Sequence, residues 1–95
     1  MERYTDTISG EELYIHTSSQ GYTRYYKDKA MKILHRTDGP ALVSPDGTEW
    51  WYRNGKLHRL DGPALAYVDG NKVWWVNGVY IATINRDGEV VNRME

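Results

Sequence analysis

One phrase of this chain occurs twice: His35-Arg36-Thr37-Asp38-Gly39-Pro40-Ala41-Leu42 returns as His58-Arg59-Leu60-Asp61-Gly62-Pro63-Ala64-Leu65, displaced by 23 residues. At the same displacement Asp46-Gly47 returns as Asp69-Gly70, Trp51 as Trp74 and Asn54-Gly55 as Asn77-Gly78. A weaker copy precedes them. Residues 21–29 align with 47–55, with Tyr25 and Tyr26 standing where Trp51 and Tyr52 stand, before three extra residues that end at His35. A chain with such a period builds its fold by stacking one supersecondary unit on the next. Past Gly78 the frame decays, Val79-Tyr80-Ile81 replacing Lys56-Leu57-His58, as in a terminal unit that closes the stack. At 95 residues the chain is a single domain (1–95): an amino-terminal segment (1–20), the repeats (21–82) and a closing hairpin (83–95).

The unit is written in turn signals. Asp46-Gly47, Asn54-Gly55, Asp69-Gly70, Asn77-Gly78 and Asp87-Gly88 separate short runs rich in Val, Ile, Trp and Tyr. Asn-Gly and Asp-Gly favour two-residue hairpins because both central residues of a type I′ turn need φ > 0. The pattern predicts an all-β fold, an antiparallel meander of repeated hairpins. Asp38-Gly39-Pro40 and Asp61-Gly62-Pro63 read as turns whose proline opens the next strand. Near the amino terminus Ser9-Gly10-Glu11-Glu12 has capping-box spacing for a short helix, while Leu13-Tyr14-Ile15-His16 reads equally well as a strand.

The segment Tyr52-Arg53-Asn54-Gly55-Lys56-Leu57-His58, and less completely Trp75-Val76-Asn77-Gly78, resembles the MORN repeat, over roughly residues 21–82. It departs from that family where His-Gly-x-Gly is usual, carrying His-Arg-x-Asp-Gly-Pro-Ala instead. Repeats of this variant are similar to ones in bacteriophage and large-virus proteins. The resemblance implies stacked hairpins that bind proteins or, in some members, lipid headgroups. It also implies a small phage accessory protein that blocks a host defence protein in the host cytoplasm.

Two-residue turns throughout would set Leu42 and His58 opposite Trp51, and Leu65 and Ile81 opposite Trp74. The other face would join Ala41 to Tyr52, Tyr52 to Leu57, Ala64 to Trp75, Trp75 to Tyr80, Val43 to Trp50 and Ala66 to Val73, a small-to-large alternation suited to a core. Trp51 and Trp74 would then share a mixed face with Glu49, Arg53, His58, Tyr67 and Lys72, and Tyr25 holds the equivalent place in the first copy. Trp, Tyr and Arg dominate interface energetics, so these are the candidate partner-binding residues. On that reading, alanine at both tryptophans abolishes partner binding and leaves melting almost unchanged. Two alternatives bury the rings instead: a cover made by Tyr4, Ile8, Leu13, Tyr14 and Ile15, or a self-complementary homodimer.

Catalytic and cofactor chemistry finds little support. His35 with Asp38 and His58 with Asp61 could each form a base and its orienting carboxylate, but a catalytic group is single, and a feature recurring once per unit answers a turn requirement. No nucleophile elbow, phosphate loop, zinc spacing or calcium loop is present, and the chain has 0 cysteines. His16, His35 and His58 are spread over separate units, so neither a metal nor a cofactor is expected. Net charge is −1, with acidic residues interspersed among Arg36, Arg53, Arg59, Lys56 and Lys72, which argues against nucleic acid. The lack of a polybasic cluster argues against lipid, and no apolar span or signal segment is read, so the expected compartment is the cytoplasm. The expectation is a non-enzymatic module that binds a protein such as a bacterial host factor. The alternative is a small-anion or nucleotide sequestering protein with Trp, Tyr and Arg at a crevice or dimer seam.

Overall fold

The computed structural model describes residues 2–95, which are entirely strands and turns. The strands are β1 (Glu2–Thr5), β2 (Glu12–Thr17), β3 (Thr23–Tyr26), β4 (Leu42–Val43), β5 (Glu49–Trp50), β6 (Tyr52–Arg53), β7 (Lys56–Leu57), β8 (Leu65–Ala66), β9 (Lys72–Val76), β10 (Val79–Ile84) and β11 (Val90–Arg93). Nine of them form one antiparallel sheet in the order β1-β2-β3-β4-β5-β8-β9-β10-β11, and β6 with β7 makes a separate two-stranded hairpin. Eight inter-strand spacings of ~4.8 Å span about 38 Å. The molecule measures 41 × 26 × 21 Å, so its long axis is the direction in which strands are added. No helix among the described residues is long and apolar enough to cross a membrane. The short amino-terminal helix does not form: the Asp6 carboxylate accepts the Ile8 and Ser9 amides in a turn, and Glu12 already pairs with Thr5.

The Asn-Gly and Asp-Gly turns belong to two different classes. Asn54 (φ 51°) with Gly55 (φ 80°), and Asn77 (φ 49°) with Gly78 (φ 78°), are both left-handed, as a two-residue type I′ turn requires. In the turns at Asp46-Gly47, Asp69-Gly70 and Asp87-Gly88 only the glycine is left-handed, as with Gly47 at φ 93°. There the Ser44 amide donates to Thr48 O at 3.0 Å and the Gly47 amide to Ser44 O at 3.0 Å, enclosing the three residues Pro45-Asp46-Gly47. Tyr67–Asn71 and Asn85–Glu89 close in the same way, and so does Ser18–Tyr22, which has no Asp-Gly at all. A negative-φ Asp followed by a left-handed Gly is a three-residue loop with a bulge, and its Asp46 side chain accepts the Thr48 amide at 2.9 Å.

One extra loop residue moves every pairing by one and so exchanges the faces. Leu42 pairs with Trp50 and Val43 with Glu49; Trp50 pairs with Leu65, and Leu65 with Val73. Continued along the same strands, this register sets Ala41 and Ala64 beside Trp51, and Ala64 beside Trp74. The Trp51 amide donates to Ala64 O at 2.6 Å. Ala82, rather than Ile81, stands opposite Trp74 because β10 bulges between Tyr80 and Ala82. The expected alternation of small and large residues exists, but its rings are Tyr25, Trp51 and Trp74, and Ala41 and Ala64 between them have no exposed surface. Tyr52 and Trp75 do not pair with those alanines but keep their expected partners Leu57 and Tyr80 in the Asn-Gly hairpins. Leu42, Trp50, Leu65 and Val73 line the opposite face, where Leu65 and Val73 are buried. Thr48 is buried at 3% exposure and its hydroxyl accepts the Val68 amide.

Candidate functional site

The repeated His-Arg-x-Asp-Gly-Pro phrase builds the same device twice. The Asn54 amide donates to His35 Nδ1 at 3.0 Å, and the Asn77 amide to His58 Nδ1 at 3.0 Å, so each histidine holds the Asn-Gly turn of the following unit. An accepting Nδ1 leaves the neutral ring's proton on Nε2. Arg36 then curls back: Nε donates to Asp38 at 2.6 Å, Nη1 to Pro40 O at 3.2 Å, and Cζ lies 4.1 Å from the Tyr25 ring centre and 4.8 Å from that of Tyr4. Arg59 repeats this with Asp61 at 3.0 Å, Pro63 O at 3.3 Å and Trp51 at 3.7 Å. Each guanidinium therefore covers the aromatic ring of its own unit by a cation–π contact. In the third unit Ala82 stands at the arginine position, so Trp74 has no such cover.

This device explains the invariant glycine of the phrase. A Cβ on Gly39 would lie 2.7 Å from Arg36 Cζ, and one on Gly62 would lie 2.8 Å from Arg59 Cζ. Alanine at either position is expected to push the guanidinium off its ring. The cost should be about 1–3 kcal/mol at Gly39, where Arg36 has more partners, and under about 1 kcal/mol at Gly62. Denaturant unfolding of the two variants checks the ranking, and a larger loss at Gly62 would contradict it.

The two copies differ in what lies over them. On the first copy the loop after β1 supplies a complete cover. Asp6 Oδ2 accepts the Thr37 amide at 2.6 Å and the Asp38 amide at 3.3 Å, while Oδ1 accepts the Thr37 hydroxyl at 2.6 Å. Asp38 in turn accepts the Thr7 amide at 2.9 Å, the Thr7 hydroxyl at 2.8 Å and the Tyr4 hydroxyl. His35 Nε2 donates to Glu11 at 2.9 Å. Burial alone would push both aspartates up, but these donors outweigh it: Asp6 is held far below the usual carboxylate range and Asp38 is lowered to about 2. Glu11 is lowered chiefly by its His35 hydrogen bond.

The second copy lacks that cover. The Leu60 and Asp61 amides, which correspond to those of Thr37 and Asp38, have no acceptor among the described residues. The Asp61 side chain is 85% exposed and meets Arg59 alone, and His58 Nε2 has no partner. Above this copy lies a cavity of about 270 Å3, walled on one side by Ile8 and Asp38 and on the other by Trp51, Arg53, His58, Arg59 and Leu60. Leu60 and Ile8, at 75% and 73% exposure, are the most exposed large apolar side chains among the described residues. Burial, followed by the charge of Arg53, lowers His58 from the ordinary histidine value and so favours its neutral ring. Trp51 Nε1 is buried without a hydrogen-bond partner.

Of the residues singled out from the sequence, Trp51, Arg53 and His58 meet at this cavity. Tyr67 lies apart, in a shallow hollow with Tyr22, Pro45 and Trp50. Glu49 and Lys72 sit near the three-residue loops, Trp74 belongs to the aromatic row, and Tyr25 lies beneath Arg36. Tyr67 leaves the expected mixed face because its place there required the two-residue register, while Glu49 and Lys72 keep the face of Trp51 and Trp74 but lie away from the cavity. Arg59, Leu60 and Asp61 complete the site. Their signal was the contrast between Thr37 and Leu60 at the variable position of an otherwise identical phrase. No cluster of three His, Cys, Asp or Glu side chains able to hold a metal occurs among the described residues. No family model matches the chain, and neither a curated protein nor a solved structure is significantly similar to it.

Proposed function

We propose that this chain is a non-enzymatic protein-binding module whose partner docks over the second His-Arg-x-Asp-Gly-Pro copy. The carrying observation is the uncovered state of that copy: Leu60 projects from a groove whose first-copy equivalent is filled by the chain's own amino-terminal loop. Trp51, Arg53 and Arg59, of residue types enriched at interface hot spots, line the cavity beside the exposed Leu60. The cavity, at about 270 Å3, is open and falls just below the range of about 300 to 1,000 Å3 for pockets that hold drug-sized ligands, which counts against an enclosed nucleotide site. The resemblance to repeats of bacteriophage proteins makes a bacterial host protein the proposed partner and the host cytoplasm the proposed setting.

Capture from bacterial lysate tests the reading. Leu60 touches solvent more than core, so Leu60→Asp should leave the melting temperature within a few degrees of native. The same substitution is expected to abolish capture of a partner that the native chain retains. Equal capture by native and Leu60→Asp protein would place the interface elsewhere.

A further inference from the structure

The filled first copy shows which chemistry the empty second copy accepts. We propose, resting on the reading above, that the second copy recognises an acidic loop. One carboxylate of that loop takes the Leu60 and Asp61 amides, a second takes His58 Nε2–H, and a hydroxyl of the loop donates to Asp61. Every element has its counterpart within this chain. Asp6 receives the Thr37 and Asp38 amides, Glu11 receives His35 Nε2, and Thr7 and Tyr4 donate to Asp38.

The cations of the second copy suit such a loop. Arg36, Arg53 and Arg59 line the cavity against the carboxylates of Asp38 and Asp61, and Arg53 carries no ion pair of its own among the described residues, so it is available to a partner carboxylate. In the first copy, the Asp6 and Asp38 carboxylates are accommodated side by side because every hydrogen bond made to Asp6 comes from an amide or hydroxyl donor, while Arg36 lies on Asp38. Adjacent backbone amides aimed at one point form an anion-binding concavity without any added side chain. The second copy differs from the first in one donor: Leu60 has no hydroxyl where Thr37 supplies one to Asp6. A partner therefore meets the two amides and an apolar rim, which favours an acidic residue followed by a hydroxyl residue and an apolar one, as in Asp6-Thr7-Ile8.

The probe is a cyclised peptide of residues 4–13 of this chain, titrated into the intact 15N-labelled protein and followed by amide shifts. The chain's own loop already fills the first copy, so binding should move the Leu60 and Asp61 amides downfield and leave those of Thr37 and Asp38 in place. Peptides with Asp6→Asn or Glu11→Gln are each expected to bind about tenfold more weakly, the size of one charge-assisted hydrogen bond. The protein variant Leu60→Thr, which restores the missing hydroxyl, is expected to bind the native peptide about three- to tenfold more tightly. If the native and Asn-bearing peptides bind alike, carboxylate recognition is overturned while the groove remains a docking surface. If millimolar peptide leaves the Leu60 and Asp61 amides unmoved, the inference fails, and the lysate comparison with Leu60→Asp decides the broader reading independently.

Discussion

Asp6→Asn is expected to lower the stability of this protein by about 2–4 kcal/mol, seen as a fall in Tm on the order of 10–20 °C. The side chain has no exposed surface, and both its oxygens only accept: Oδ1 from the Ile8 and Ser9 amides and the Thr37 hydroxyl, Oδ2 from the Thr37 and Asp38 amides. Asparagine must turn an NH2 group toward one of these sets of donors, leaving buried N–H groups unpaired. The same substitution changes the pH dependence. A carboxylate whose folded pKa is depressed contributes stability that is fully present above its unfolded value of ~3.9 and is lost as pH falls toward the folded value. Native protein should therefore lose stability steeply from about pH 5 to pH 2, with Asp38 adding to the slope. Asp6→Asn should flatten that slope by up to about 1.4 kcal/mol per pH unit. Urea unfolding at a series of pH values measures both effects. An unchanged slope would mean that the Asp6 carboxylate is not held ionised by its donors.

Trp51→Ala is expected to cost about 3–5 kcal/mol, much of the ~5–15 kcal/mol typical of a whole domain. The ring lies between buried Ala41 and Ala64 and carries the Arg59 guanidinium, so its removal opens a cavity and takes away the cation–π contact. Trp51→Phe should cost far less, because the lost ring area is partly offset by removing a buried N–H that has no acceptor. Thermal melts of the two variants discriminate clearly. If Trp51→Ala melted within a degree or two of native, the ring would lie outside the core, as the two-residue register of the sequence implies.

That register is the point at which sequence reasoning and structure part. Asn-Gly and Asp-Gly look interchangeable in a list of turn formers, yet here Asn54 and Asn77 adopt the left-handed conformation and Asp46 does not. A signal for the difference is present at one of the three loops, where Pro45 precedes Asp46 as in a type I turn followed by a left-handed glycine, whereas Val68 and Arg86 precede Asp69 and Asp87. Counting Asp46-Gly47 and Asp69-Gly70 as two-residue turns sets the leucines opposite Trp51 and Trp74, where the structure sets the alanines. The pairs Tyr52 with Leu57 and Trp75 with Tyr80 span true two-residue turns and form as read. Only local geometry separates the two outcomes.

The candidate site was legible in part. Trp51, Arg53 and His58 follow from residue type, but their neighbours Leu60 and Asp61 looked like copies of Thr37 and Asp38. The difference between the copies comes from the amino-terminal hairpin. Its Asp6 lies more than thirty residues before Asp38 in the chain yet accepts its amide. No period or motif in the sequence announces such a contact.

What the sequence by itself determined is the all-β class, the repeat length, the places where the chain turns and the identity of the phrase each unit carries. These are local properties: the backbone preferences of Asn, Asp, Gly and Pro act within four residues and repeat wherever the residues repeat. Tertiary structure alone decided which face of each strand is buried, that histidine and arginine of the phrase serve the following turn and the underlying ring, and that one copy is covered while the other is open. Those outcomes depend on register and on contacts between segments far apart in the chain, where one added loop residue or one reaching hairpin changes what every later side chain meets.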